Sequence, residues 1–103
     1  VDAVFATDDL TAAAVLEWAR KRGRGVPGDF KVVGFDATAA VRRALPGLTT
    51  IEQPIADLAA CAVDILLRQI DARAAGADDA EPPAPRSLSP APLPIRLLVG
   101  NTT

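Results

Sequence analysis

Histidine, tyrosine and methionine are absent from the 103 residues, cysteine occurs once, and aromatic residues make up 4%. Without histidine there is no imidazole base or imidazole metal ligand, and without tyrosine no phenolic acid. No catalytic residue, metal site or cofactor is therefore expected. Cys61 cannot form an internal disulfide, and in an apolar helical run with no histidine it reads as a buried, inert thiol rather than a nucleophile. No apolar run approaches the ~18 residues of a membrane span. Asp57, Asp64 and Arg68 interrupt the most hydrophobic stretch. With no methionine, and with Val1 opening directly into an apolar run, the chain is expected to be a piece of a longer polypeptide, and no signal peptide is visible.

Half of the residues are apolar, and 11 basic against 13 acidic residues leave a formal charge of −2. That balance fits one soluble acidic domain. Folding a chain of this size buries roughly 60–70% of its extended surface, enough for a core without disulfides.

Residues 1–6 (VDAVFA) form a short strand pattern that runs into Thr7, Asp8 and Asp9, residues suited to a helix N-cap and first turn. The alanine-rich run from Leu10 has no Gly or Pro, and Leu10, Ala14 and Trp18 recur on one face as a candidate core stripe. Arg20, Lys21 and Arg22 complement the negative end of that helix, and Gly23 or Gly25 supplies the left-handed stop. After a Val26-Pro27-Gly28 turn, residues 30–35 (FKVVGF) read as a buried strand ending at Asp36. A weaker helix follows over 38–45, capped by Thr38 and ended by Pro46-Gly47. Residues 48–53 (LTTIEQ) suit a strand, and 54–74 give the clearest helix, with Ile55, Leu58, Ala62, Ile65 and Leu66 at three- and four-residue steps. Residues 75–92 shift to Ala, Asp, Pro and Ser, with six prolines between Pro82 and Pro94, and read as a flexible Pro-rich loop. Residues 94–99 (PIRLLV) form a last strand. Alternation of strand and helix predicts an α/β fold, a parallel sheet with helices on both faces.

In such sheets ligands gather outside the carboxyl ends of the strands. Thr7, Asp8 and Asp9 follow the first strand, Asp36 the second, and Gln53 ends the third. Carboxylates beside an amide suit a ligand studded with hydroxyls, such as a sugar or nucleoside. One of Asp8 and Asp9 is expected to do no more than cap a helix. Asp36 could also cap, but an acid directly after FKVVGF is costly to bury unpaired, which favours a functional role. The basic string from Arg20 to Arg24 sits at a helix end in an acidic chain and reads as a solvated terminus, not a DNA reader. An acidic Mg²⁺ site of a phospho-acceptor receiver domain would want a lysine after a later strand; the lysines are Lys21 and Lys31, so this reading is set aside.

The run VFATDDLTAAAVLEWARKRGRGVPGDFKVVGFDAT, then LTTIEQP, then LPIRLLVGNTT resembles, in order and spacing, the carboxyl-terminal part of the lactose-repressor (LacI/GalR) family of bacterial transcription regulators. The resemblance implies the second lobe of a type I periplasmic-binding-protein-like fold, in which two α/β lobes clamp a sugar-like effector. It implies a non-enzymatic, cytoplasmic, dimeric regulator whose helix-turn-helix and first lobe would lie upstream, so operator DNA would be bound outside this chain. By position, Asp36 matches an effector-binding aspartate, Thr7 a position often held by asparagine, Asp8 its neighbouring acid, and Gln53 a glutamine beside the cleft. Ala37 departs from a usual second aspartate, and Gly100 stands where arginine is frequent. A dimer face is expected on the first two helices, through Ala12, Val15, Leu16, Val41, Ala44 and Leu45. A secreted solute-binding protein of a sugar transporter, of the same fold, is the alternative.

Overall fold

The computed structural model describes residues 1–76 and 93–103. Its elements, in chain order, are β1 (Ala3–Phe5), α1 (Asp9–Lys21), β2 (Lys31–Asp36), α2 (Ala39–Ala44), β3 (Thr49–Glu52), α3 (Ile55–Ala74) and β4 (Arg96–Leu98). Two compact units are present, Val1–Gln53 with Ile95–Thr103, and Pro54–Pro94. The Pro-rich loop expected over 75–92 lies outside the described residues from position 77 onward.

The first unit is a four-stranded sheet in the order β1-β2-β3-β4. β1, β2 and β3 are parallel, with Phe5 opposite Val33 and Asp36 opposite Glu52. This is the expected α/β class with a mostly parallel sheet. β4 alone runs antiparallel, a direction that its short apolar pattern does not encode. The register sets Arg96 directly opposite Glu52. An opposite-charge pair across strands stabilises by roughly 0.2–1 kcal/mol, and here the Arg96 guanidinium donates to the Glu52 carboxylate.

Small side chains dominate the core: Ala6, Ala12, Val32 and Leu48, with Val15, Leu16, Val26, Phe30, Val41 and Leu45 packed around them. Val32 is completely buried, a contribution of about 1.5–3 kcal/mol for a side chain of this type. The face of α1 that meets the sheet carries Asp9, Ala12 and Ala19. This corrects the expected core stripe, because Leu10 and Trp18 are 75% and 52% exposed. The reason is proximity: a methyl group on Gly34 of β2 would come within 3.3 Å of Ala12 Cβ, so only small residues fit where the helix crosses. Trp18 instead meets Phe30 edge-on, with ring centroids 6.4 Å apart. The same packing takes Ala12 away from the expected dimer face. Ala12 is fully buried, while Val15, Leu16, Val41 and Leu45 belong to the packing around the core. Of those six residues only Ala44 is exposed.

Arg20 and Lys21 close α1, both reaching Glu17, and Gly23 follows in the left-handed region. Thr38 caps α2 by accepting from the Val41 amide. Residues after β4 stitch the chain end to the sheet. Thr102 Oγ1 donates to the Val32 carbonyl at 2.7 Å and accepts from the Thr49 amide at 2.9 Å, while the Asn101 amide donates to the Gly47 carbonyl. At Gly100 a Cβ would collide with the Gly47 carbonyl, which is why glycine, and not a long side chain, occupies this position.

In the second unit, α3 starts with the Leu58 amide donating to the Pro54 carbonyl and carries an Asp64–Arg68 ion pair one turn apart. Cys61 is a free thiol there, half-buried rather than buried as expected.

Candidate functional site

Three loops leave the sheet at the carboxyl ends of β1, β2 and β3, and they carry the candidate residues. After β1, Asp8 has extended backbone and caps α1. Its Oδ1 accepts from the Thr11 amide at 2.7 Å, and its Oδ2 accepts from the Thr11 and Thr7 hydroxyls at 3.1 and 3.3 Å. The Thr11 amide, foremost among these donors, holds the Asp8 carboxyl below the usual carboxylate range. Thr7 and Asp8 therefore contact each other at the rim.

Asp36 ends β2 and Gln53 follows β3. Gln53 Nε2 donates to Asp36 Oδ1 at 2.6 Å, in a half-buried setting. Among the described residues no cation pairs with Asp36, so its second oxygen remains an acceptor directed by the Gln53 contact. Backbone geometry marks this corner as well: Asp36 has φ 111° and Ala37 φ 52°. Such conformations cost non-glycine residues about 1–3 kcal/mol each and persist where neighbouring structure enforces them.

Asp9 is the acid that reading the sequence undervalued. Asp8 caps the α1 N-terminus from the exposed rim, while Asp9 is 2% exposed and deeply engaged. Its Oδ1 accepts from the Thr50 hydroxyl at 2.5 Å and its Oδ2 from the Ala37 amide at 2.8 Å. The α1 N-terminus adds a favourable dipole. A signal was present: a glycine inside the apolar strand FKVVGF marks a close approach, and a Cβ at Gly34 would collide with Asp9 Oδ1.

Beside this rim, Glu52 accepts from Arg42 at 3.3 Å and also from Arg96. A concavity of about 470 Å³ lies along α2, β3 and β4, and one of about 500 Å³ lies beside Val4, Trp18 and Phe30. Neither is lined by Thr7, Asp8, Asp36 or Gln53. Groups of three or more acids or thiols placed to hold a metal ion are absent among the described residues. No helix among them is long and apolar enough to cross a membrane.

A family model described as a periplasmic binding protein-like domain matches residues 2–96. The chain belongs to that family, in its LacI-type branch. Among curated relatives of this LacI-type domain, the ribose operon repressor of Halalkalibacterium halodurans is 39% identical over 71 residues, 69% of the chain and 22% of the relative. The sucrose operon repressor of Lactococcus lactis is 47% identical over 70 residues, 68% of the chain and 21% of the relative. Among solved structures, a LacI-family regulator from Sanguibacter keddieii superposes over 99% of the chain and 35% of its own, with a TM-score of 0.73 and 36% identity. The regulator CelR in complex with cellobiose superposes over 100% of the chain and 28% of its own, with a TM-score of 0.70 and 32% identity. The LacI-type domain described here thus spans about a fifth of the curated relatives and about a third of the solved chains.

Proposed function

We propose that this chain is the carboxyl-terminal effector-binding lobe of a LacI-type transcription regulator, forming one side of a clamp for a neutral, sugar-like ligand. The observation that carries the proposal is the Asp36–Gln53 contact at the carboxyl rim of a mostly parallel sheet. A carboxylate oxygen accepts a ligand hydroxyl while the adjacent amide can both donate and accept. Thr7 and Asp8 border the same rim and complete the effector contacts. The identity to sucrose and ribose operon repressors, and the likeness to a regulator that holds cellobiose, support a sugar effector and favour a regulator over a transporter's solute-binding protein.

In this account the effector favours the closed arrangement of two lobes through its differential affinity, and operator DNA is read by parts of the polypeptide other than this chain. A coupling of about 1–3 kcal/mol is typical for such switches. The protein acts in the cytoplasm as a homodimer, with contacts through Val15, Leu16, Val41, Ala44 and Leu45 on the first two helices rather than through the fully buried Ala12. The polypeptide that carries this chain, mixed with ribose, sucrose and cellobiose, tests the reading by thermal denaturation. A ligand at 100 times its Kd stabilises the folded state by about 2.7 kcal/mol. A melting temperature that rises with at least one of the sugars supports the assignment; no rise with any of them contradicts it.

A further inference from the structure

We infer that Asp9 is a positioning residue for this site: it holds the Asp36–Ala37 turn in its left-handed form and so aims the Asp36 carboxylate at the rim. The inference rests on the reading of Asp36 as a ligand-binding residue.

Asp36 is fixed at two points. Gln53 holds its side chain, and the peptide that follows it is held through the Ala37 amide, which donates to Asp9 Oδ2. Ala37 is buried at φ 52° and Asp36 stands at φ 111°. Alanine and aspartate leave such conformations for extended or helical ones unless something retains them. Within the described residues the Asp9 carboxylate is the partner of that amide. Its own orientation is set from the far side by the Thr50 hydroxyl, two residues before Glu52 on β3. The absence of a side chain at Gly34 leaves the space in which the carboxylate sits. Asp9 thereby ties the start of α1, the exit of β2 and the middle of β3 into one unit, and Asp36 takes its direction from it. Asp9 is 2% exposed, with a protein donor on each oxygen, so a ligand does not reach it, which separates its role from that of the half-buried Asp36.

The test has two readouts. Amide exchange of the chain, followed by ¹⁵N NMR, is measured for Asp9→Ala and Asp9→Asn. Asp9→Ala accelerates exchange at Ala37 tenfold or more while that of Val32 is unchanged. Asp9→Asn restores protection, because its carbonyl oxygen accepts from Ala37 and its amide donates to a Thr50 hydroxyl that reverses its role. Thr50→Val, which removes the hydroxyl pinning Asp9 Oδ1, shows the same pattern at lower amplitude and serves where Asp9→Ala does not fold. Unchanged exchange at Ala37 in the folded variants overturns the inference.

Affinity for ribose, sucrose or cellobiose is then measured on the complete polypeptide. Asp9→Ala lowers it tenfold or more in the wild-type background and adds no further loss to Asp36→Ala. Equal losses in both backgrounds overturn the positioning role while leaving the sugar site standing. If Asp36→Ala alone changes nothing, or no sugar binds, the reading of the site fails, and exchange at Ala37 still decides what Asp9 does to the turn.

Discussion

Gln53 Nε2 lies 2.6 Å from Asp36 Oδ1, joining the loop after β3 to the last residue of β2. The pair brings two positions 17 residues apart onto one rim. It also occupies one carboxylate oxygen, so the acid has a fixed orientation before any ligand arrives. Replacing Gln53 with Ala releases the carboxylate. A lost hydrogen bond to a charged group is worth about 1.5–3 kcal/mol, and partial exposure places this one at the lower end. Denaturant unfolding of Gln53→Ala checks the magnitude, and Gln53→Glu, which sets two carboxylates together, is expected to lose more.

Gly34 of β2 has no room for a side chain. A methyl group there meets Asp9 Oδ1, Leu48 Cδ2 at 3.2 Å and Ala12 Cβ at 3.3 Å. Overpacking of this kind costs about 1–3 kcal/mol. Gly34→Ala is therefore expected to lower the midpoint of urea unfolding clearly, whereas Gly28→Ala, with nothing within 4 Å of the new Cβ, stays within about ±0.5 kcal/mol.

Thr102 ties the chain end to β2 and β3 at once. Thr102→Val keeps the shape but removes the acceptor of the Thr49 amide and the donor to the Val32 carbonyl. Leaving a buried backbone amide unsatisfied costs about 1–3 kcal/mol. Thr102→Ser retains both bonds and is expected to stay near wild type, so calorimetric melting of the two variants separates the hydrogen bonds from packing.

Acid sensitivity follows from two carboxylates on α1. The Asp8 carboxyl is lowered mainly by the Thr11 amide, and that of Glu17 is lowered to about 2, first by its hydrogen bond from Arg20. A depressed folded-state value means that the unfolded chain binds protons first as pH falls. The stabilisation is complete above the ordinary carboxylate range of about 4 and is lost from there down to about pH 2. Both groups are solvent-exposed, so the effect is modest and weakens with salt. A melting temperature that falls below pH 4 and falls less in Asp8→Asn checks the sign.

The order of elements was legible because each carries local chemistry: caps at Asp8 and Thr38, a left-handed glycine at Gly23, and β-branched residues in β2 and β3. The rim was legible too, since Asp36 and Gln53 stand where strands end, and the structure joins them. Three features were not. Hydropathy ranks leucine and tryptophan above alanine, but the approach of α1 to Gly34 selects Ala12 and Ala19 for the core and leaves Leu10 and Trp18 outside. Adjacent acids look alike in a sequence, whereas one helical step separates the exposed cap Asp8 from the buried Asp9. The direction of β4 depends on pairing Arg96 with Glu52 across 44 residues, a long-range contact that local pattern does not carry.

Asp36, in the proposed site, receives a ligand hydroxyl. Isothermal titration calorimetry of the complete polypeptide with whichever of ribose, sucrose and cellobiose it binds, compared with its Asp36→Ala variant, tests this most directly. A folded variant whose affinity is weaker by about 1.5–3 kcal/mol, the range of a hydrogen bond to a charged group, is the expected result; unchanged affinity in a folded variant contradicts it.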